Sequence, residues 1–243
     1  MAKKISAIRT VVEESFLEVL KNTFESNLVS AAIYGSYVSG NFVEGVSDIN
    51  ILILLEKPDA DQIEKLGINA HKMIKRYKIT PLILSKTEFI NSADVFPMEY
   101  FDIRDRKKIL YGEDETKTLS LTQKNLRHQL EDRLRGNIAS LRQLIIASHG
   151  KEKILGNFLK NWYGSLNALF KGLLRLKKIT PVPPQSEDII KKINEVFRLD
   201  VAPFLDLIRF RRGEKKNPKK LTYDIVSSLE TLIRTVDKMD LRE

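Results

Sequence analysis

Two short apolar runs and the residues that end them constrain this chain more than any other part of it. Leu28 to Tyr34 is an apolar stretch closed by Gly35-Ser36, and eleven residues separate Ser36 from Asp48, which opens a second stretch, Asp48-Ile49-Asn50-Ile51-Leu52-Ile53-Leu54-Leu55. Both runs have the length and β-branched content of buried strands. Strand alternation places Asp48 and Asn50, two residues apart, on the same side. Two oxygen-bearing side chains so placed can share a divalent cation, and a Gly-Ser turn nearby can bring backbone N–H groups close to an anion.

The rest of the first half supplies layers for such strands. Ile8, Val11, Val12, Phe16, Val19, Leu20 and Phe24 have the spacing of an amphipathic helix over 6–26. Gly40 and Gly45 punctuate the loop between the two strands, and one helical turn is expected at 36–41. A helix is expected from about Asp61 to Tyr77, a third strand at Thr80–Leu84, a short helix at Lys86–Ala93 and a fourth strand at Met98–Arg104. Alternating elements of this kind predict an α/β (α+β) domain with a mixed sheet.

After residue 115 the pattern changes. Leu121, Leu126, Leu130, Leu134, Ile138, Leu141, Leu144 and Ile145 recur every three to four residues, predicting a long helix over 120–148. A second follows over Lys153–Lys177, with Trp162, Leu166, Phe170 and Leu173 on one face. Thr180-Pro181-Val182-Pro183-Pro184 interrupts the pattern, and shorter helices are expected at 186–197, 201–212 and 222–239. The expected organisation is therefore a domain over 1–115 and an all-α bundle of about five helices over 116–243.

Charge follows the same division. Residues 1–115 carry 15 Lys/Arg against 18 Asp/Glu, and residues 116–243 carry 26 against 14, for a net charge of +9. An acidic half joined to a basic one suits an anionic ligand such as a metal-bound polyphosphate, and equally suits lysine-rich solvated helix faces. The chain has no cysteine, which excludes disulfides and thiolate metal sites and fits a cytoplasmic protein. No apolar run approaches the roughly 18 residues of a membrane span, and the N-terminus lacks the apolar core of a signal peptide. A homodimer is compatible with the sequence.

The segment 31–55 resembles the signature of nucleotidyltransferases of the DNA polymerase β superfamily, in which apolar-Gly-Ser is followed after about ten residues by Asp-x-Asp. The layout is also similar to that of antibiotic-modifying nucleotidyltransferases, several of which place a helical bundle after this domain. The departure is Asn50, which stands where the pattern has a second carboxylate and offers only a neutral amide oxygen.

The resemblance implies transfer of a nucleoside monophosphate from a Mg²⁺-bound nucleoside triphosphate to a hydroxyl of a small molecule or protein. Gly35, Ser36 and Ser47 would bind the nucleotide, Asp48 would be the principal metal ligand and Asn50 an auxiliary one. A further carboxylate would take the acceptor's proton. Glu99 is the candidate, since Pro97-Met98-Glu99 resembles the base-bearing strand start of some adenylyltransferases; Asp102 would face the other way by strand alternation. Glu88 falls beyond the third strand, in a helix.

An alternative reading makes the chain a degenerate relative, a nucleotide sensor or interaction module that kept the fold and lost a metal carboxylate. A third makes it a nucleic-acid-associated protein acting through Arg209, Arg211, Arg212, Lys215, Lys216, Lys219 and Lys220, though that cluster lacks interleaved aromatics. His71, His128 and His149 have no metal-ligand spacing and read as surface residues, and Trp162 reads as core before it reads as a stacking platform. The helical half lacks the Arg-x4-His motif of HEPN ribonucleases.

Overall fold

The computed structural model describes residues 8, 10–39, 42 and 47–239. The chain divides into two compact units, Met1–Leu121 and Thr122–Glu243. The expected turn residues Gly40 and Gly45 lie outside the described residues.

In the first unit a π-helical turn, Thr10–Ser15, runs into α1 (Phe16–Phe24). Strand β1 (Leu28–Tyr34) follows, then a 3₁₀ turn at Gly35–Tyr37 and strand β2 (Ile49–Leu55). Helix α2 (Ala60–Tyr77) leads to β3 (Ile79–Ser85), and then come α3 (Lys86–Asn91), α4 (Pro97–Asp105) and β4 (Lys107–Tyr111). The four strands form one mixed sheet in the order β3-β2-β1-β4. β1 is antiparallel to both β2 and β4, while β2 and β3 are parallel, joined by the crossover helix α2. Pro81 is tolerated within β3 because β3 lies at the sheet edge.

Alternation along the strands builds two cores, one on each side of the sheet. Ala31, Ile33, Ile49, Ile51, Ile53 and Leu55 pack with Phe16, Leu20 and Phe24 of α1 and Leu66 and Ala70 of α2. Leu52 and Leu54 face the opposite way, onto Phe89 of α3, Tyr100 and Ile103 of α4, and Leu119, with Tyr34 packed against the same cluster. Both cores draw on β2, which explains why that strand is apolar throughout except at Asn50.

The fourth strand differs from the expectation. Met98–Arg104 is helical, the body of α4, and the strand lies just beyond it at Lys107–Tyr111. The alternation Met98-Glu99-Tyr100 mimics a half-buried strand, but Pro97 occupies the first turn of a helix, where its missing N–H costs nothing. Met98, Phe101 and Tyr100, Ile103 are buried at three-residue spacing, the helical period. β4 escapes detection because it is short and half-exposed, with two lysines.

The second unit comprises α5 (Gln123–Ala147), α6 (Glu152–Leu176), α7 (Ser186–Phe197), α8 (Ala202–Arg211) and α9 (Pro218–Asp237). α6 packs against the other four. Trp162 is a core residue whose Nε1 donates to Asn137 Oδ1 (2.6 Å), which also accepts from Ser165 Oγ (3.1 Å). Asn137 in turn donates to the Arg133 carbonyl (2.8 Å), so this buried amide is satisfied.

Much of the basic charge around α8 is neutralised locally. Lys216 and Arg209 both reach Asp206, Arg212 reaches Glu187 and Lys220 reaches Asp224. Arg211 lies over the Tyr163 ring, 4.3 Å from its centroid. The three histidines are exposed. Among the described residues no helix is long and apolar enough to cross a membrane.

Ile53, fully buried in the middle of β2, should be the most sensitive kind of position in the first unit. Ile53→Ala is expected to lower stability by about 2–5 kcal/mol, measured as a shift in the urea midpoint.

Candidate active site

The two strands that carry the polar residues are neighbours, and their register decides what meets at their ends. β1 and β2 run antiparallel with Tyr34 directly opposite Asn50, so the last residue of one strand faces the second residue of the other. Beyond Tyr34 the backbone turns at Gly35, whose φ is +81°. That conformation favours glycine, and space requires it as well: a Cβ at position 35 would stand 3.0 Å from Asn50 Nδ2. The turn is closed by Ser39 N–H donating to the Gly35 carbonyl (3.1 Å) and Ser39 Oγ to the Ser36 carbonyl (3.3 Å). Tyr37 and Val38 pack onto the α1–α2 side of the sheet, and the Tyr37 ring meets Phe42 edge-on at 5.4 Å. The Gly35-Ser36 turn is thus held against the core and leaves its backbone beside the Asn50 amide.

Asp48 stands one residue before β2 and is exposed, and Ser47 beside it is half-buried. The start of β2 is fixed by Ile49 N–H donating to the carbonyl of Lys78 (2.9 Å), which caps α2 in a left-handed conformation. Ile49 and Ile51 are fully buried on the α1–α2 face, so alternation turns Asn50 to the other face, that of Leu52 and Leu54.

Helix α4 lies on that second face. Glu99 is exposed on its first turn, and Asp102 is three residues on, which in a helix is the same side. The expectation that Asp102 would face away from Glu99 rested on a strand and is corrected by the helix. Both carboxylates act on Tyr34, whose hydroxyl is pushed up to about 12, chiefly by burial and then by the negative charges of Glu99 and Asp102 and by Tyr100. Tyr34 therefore stays protonated at neutral pH and can serve only as a hydroxyl donor or acceptor.

Tyr34 is not among the site residues expected from sequence; its place immediately before Gly-Ser, at the end of an apolar strand, is the signal that marks it. Glu88, by contrast, is occupied in a capping box: its carboxylate accepts from Ser85 N–H (2.7 Å) while Ser85 Oγ accepts from Glu88 N–H (3.0 Å), which holds its pKa below the usual carboxylate value.

Gly35, Tyr34 and Asn50 are thus in one place, with Asp48 two residues along the chain and the Glu99–Asp102 face of α4 bearing on Tyr34. Among the described residues no three His, Cys, Asp or Glu side chains stand together as a preformed metal cage. The donor set offered by Asp48 and Asn50, one carboxylate and one neutral oxygen, fits a Mg²⁺ that arrives bound to phosphates, since that ion is ordinarily held by one or two carboxylates plus substrate oxygens and water.

Residues 13–125 match the family model described as nucleotidyltransferase domain. The first unit has the nucleotidyltransferase fold. No curated protein matches the chain in sequence at a significant level. Among solved structures, the chain is similar to the spectinomycin adenyltransferase of Enterococcus faecialis, determined with ATP and spectinomycin. That likeness has a TM-score of 0.60 at 14% identity and covers 93% of this chain and 98% of the other. It is a likeness of fold, and it extends over the helical bundle as well as the nucleotidyltransferase domain. The expected fold class, a mixed-sheet nucleotidyltransferase domain followed by an all-α region, is the one found.

Ionisation of Tyr34 has a consequence for stability. Its pKa is raised in the folded chain to about 12 from 10.0, so between these values the folded state holds a proton that the unfolded state has lost. Stability is therefore expected to fall as pH rises from about 10 to about 12, by on the order of 2 kcal/mol. Tyr34→Phe should remove that component, read by comparing denaturant unfolding of the two proteins across this range.

Proposed function

We propose that this protein is a nucleotidyltransferase that moves the nucleoside monophosphate of an NTP onto a hydroxyl of a small molecule. The observation that carries the proposal is the packing of the Gly35 turn against Asn50, at the adjoining ends of β1 and β2 within a nucleotidyltransferase domain. The fold neighbour is an adenyltransferase solved with ATP and spectinomycin, which favours ATP as donor and a small molecule, rather than a protein, as acceptor.

In this reading the backbone of the Gly35-Ser36 turn receives the phosphates, with Ser47 beside them. Asp48 would hold Mg²⁺ through its carboxylate and Asn50 would add an amide oxygen; the cation would neutralise charge developing on the transferring phosphoryl group. Glu99 is the candidate to accept the proton of the acceptor hydroxyl, and Asp102, on the same side of α4, is its nearest competitor for that role. Tyr34, protonated at working pH, would orient whichever carboxylate acts by donating its hydroxyl hydrogen.

The neutral amide at position 50 favours a second reading, a nucleotide-binding relative that does not turn over. A site with one carboxylate fewer stabilises less of the charge that develops in the transition state. Titration calorimetry with ATP, GTP, CTP and UTP, with and without Mg²⁺, joined to pyrophosphate release over an acceptor panel that includes spectinomycin, separates the two. The enzyme is expected to bind ATP with Mg²⁺ and release pyrophosphate in an acceptor-dependent way; binding without release selects the second reading, and no binding of any nucleotide removes both.

If the first holds, Asp48→Ala should lower kcat by at least about 100-fold. Glu99→Gln and Asp102→Asn, compared side by side, should show a loss of about 100-fold or more in only one of them, assigning the proton acceptor.

A further inference from the structure

Asn50 holds the position at which a carboxylate would be expected, and it differs from a carboxylate in more than charge. Its side-chain amide lies against the Gly35 turn, 3.0 Å from where a Cβ of residue 35 would stand. The residue is half-buried, and among the described residues its side-chain amide takes part in no hydrogen bond. An amide carries two N–H donors, so Asn50 brings to the Gly35 turn a half-buried donor group that no described residue satisfies. A carboxylate there would present only acceptors to an anion and repel it.

We infer that Asn50 is an anion-binding residue, whose Nδ2 donates to a phosphate oxygen of the nucleotide at the Gly35 turn. The inference rests on the nucleotide reading above and deepens it. One side chain then has two ends with different partners: the amide nitrogen serves the phosphate, and the amide oxygen is left for the Asp48 side. The site contains one negative charge fewer than two aspartates would supply, so a polyphosphate without its cation meets less repulsion and one additional donor. Part of the affinity for nucleotide is therefore independent of divalent cation. Substitution at this position shifts the site from holding the cation toward holding the phosphate.

The test is calorimetric titration of the full chain with ATP and with inorganic tripolyphosphate, each in EDTA and in Mg²⁺. The wild-type protein is expected to bind both probes in EDTA. Asn50→Leu, close in size and without donors, should weaken that metal-free binding about tenfold, the loss of one hydrogen bond to a charged group. Asn50→Asp should weaken it at least as much and bind ATP more tightly in Mg²⁺ than in EDTA by a larger factor than wild type does. Thermal melts establish that each variant is folded, and Asn50→Ala, likewise without donors, replaces Asn50→Leu if the latter is not.

Metal-free tripolyphosphate binding that is equal in wild type and Asn50→Leu overturns the inference. So does tighter metal-free binding by Asn50→Asp. A wild-type protein that binds ATP only with Mg²⁺ overturns it and leaves the nucleotide reading standing. Absence of binding in both conditions overturns that reading itself.

Discussion

The pairing of β1 with β2 is the constraint on which the rest of the first unit depends. An antiparallel ladder admits one register wherever both faces of the sheet are buried, because a slip of a single residue would turn every side chain to the wrong face. Here both faces are buried: Ile49, Ile51 and Ile53 belong to one core, Leu52 and Leu54 to the other. The register so selected sets Tyr34 opposite Asn50. Since Gly35 and Asp48 flank that pair along the chain, the same ladder that buries the hydrophobic residues also assembles the polar ones. The site costs little extra to build, because it sits where two core strands run out.

Around that pair the fold supplies rigidity from two directions. The Lys78 carbonyl, at the end of α2, ties down the first residue of β2, and Tyr37 and Val38 hold the turn after Gly35 against the core. On the opposite face α4 contributes Glu99 and Asp102 from a single helical side, with Tyr100 and Ile103 beneath them in the core. The groups proposed to act on a ligand are short side chains and backbone at element ends, held by the packing of those elements. Around α8 in the second unit, arginines and lysines are matched by Asp206, Glu187 and Asp224 in exposed ion pairs that contribute little to stability.

Much of this was legible from residue order, and the parts that were not have identifiable causes. β1 and the helix Ser186–Phe197 match the expected bounds, because Gly35 closes the one patterned run and Pro183-Pro184 precede the other. Met98–Arg104 reads as a strand in sequence because three residues of it alternate, and alternation over so short a span is shared by a strand and by one turn of an amphipathic helix whose hydrophobic face is broad. That error carried a second with it, since Asp102 faces away from Glu99 in a strand and beside it in a helix. β4 carried no signal of its own: five half-exposed residues with two lysines become a strand only because β1 offers an unpaired edge.

The sequence by itself determined the class of fold and the residues around which a site could form, because a Gly-Ser turn, an Asp-x-Asn strand and period-two and period-3.6 patterns are local properties written in neighbouring residues. Tertiary structure alone decided which of those residues meet. That Asn50 lies against the Gly35 turn, that Tyr34 faces Asn50, and that α4 turns two carboxylates toward Tyr34 all follow from the register of β1 against β2 and from the helix packed on the sheet. Register is selected by burial on two faces at once, a non-local energy to which no single segment holds the key.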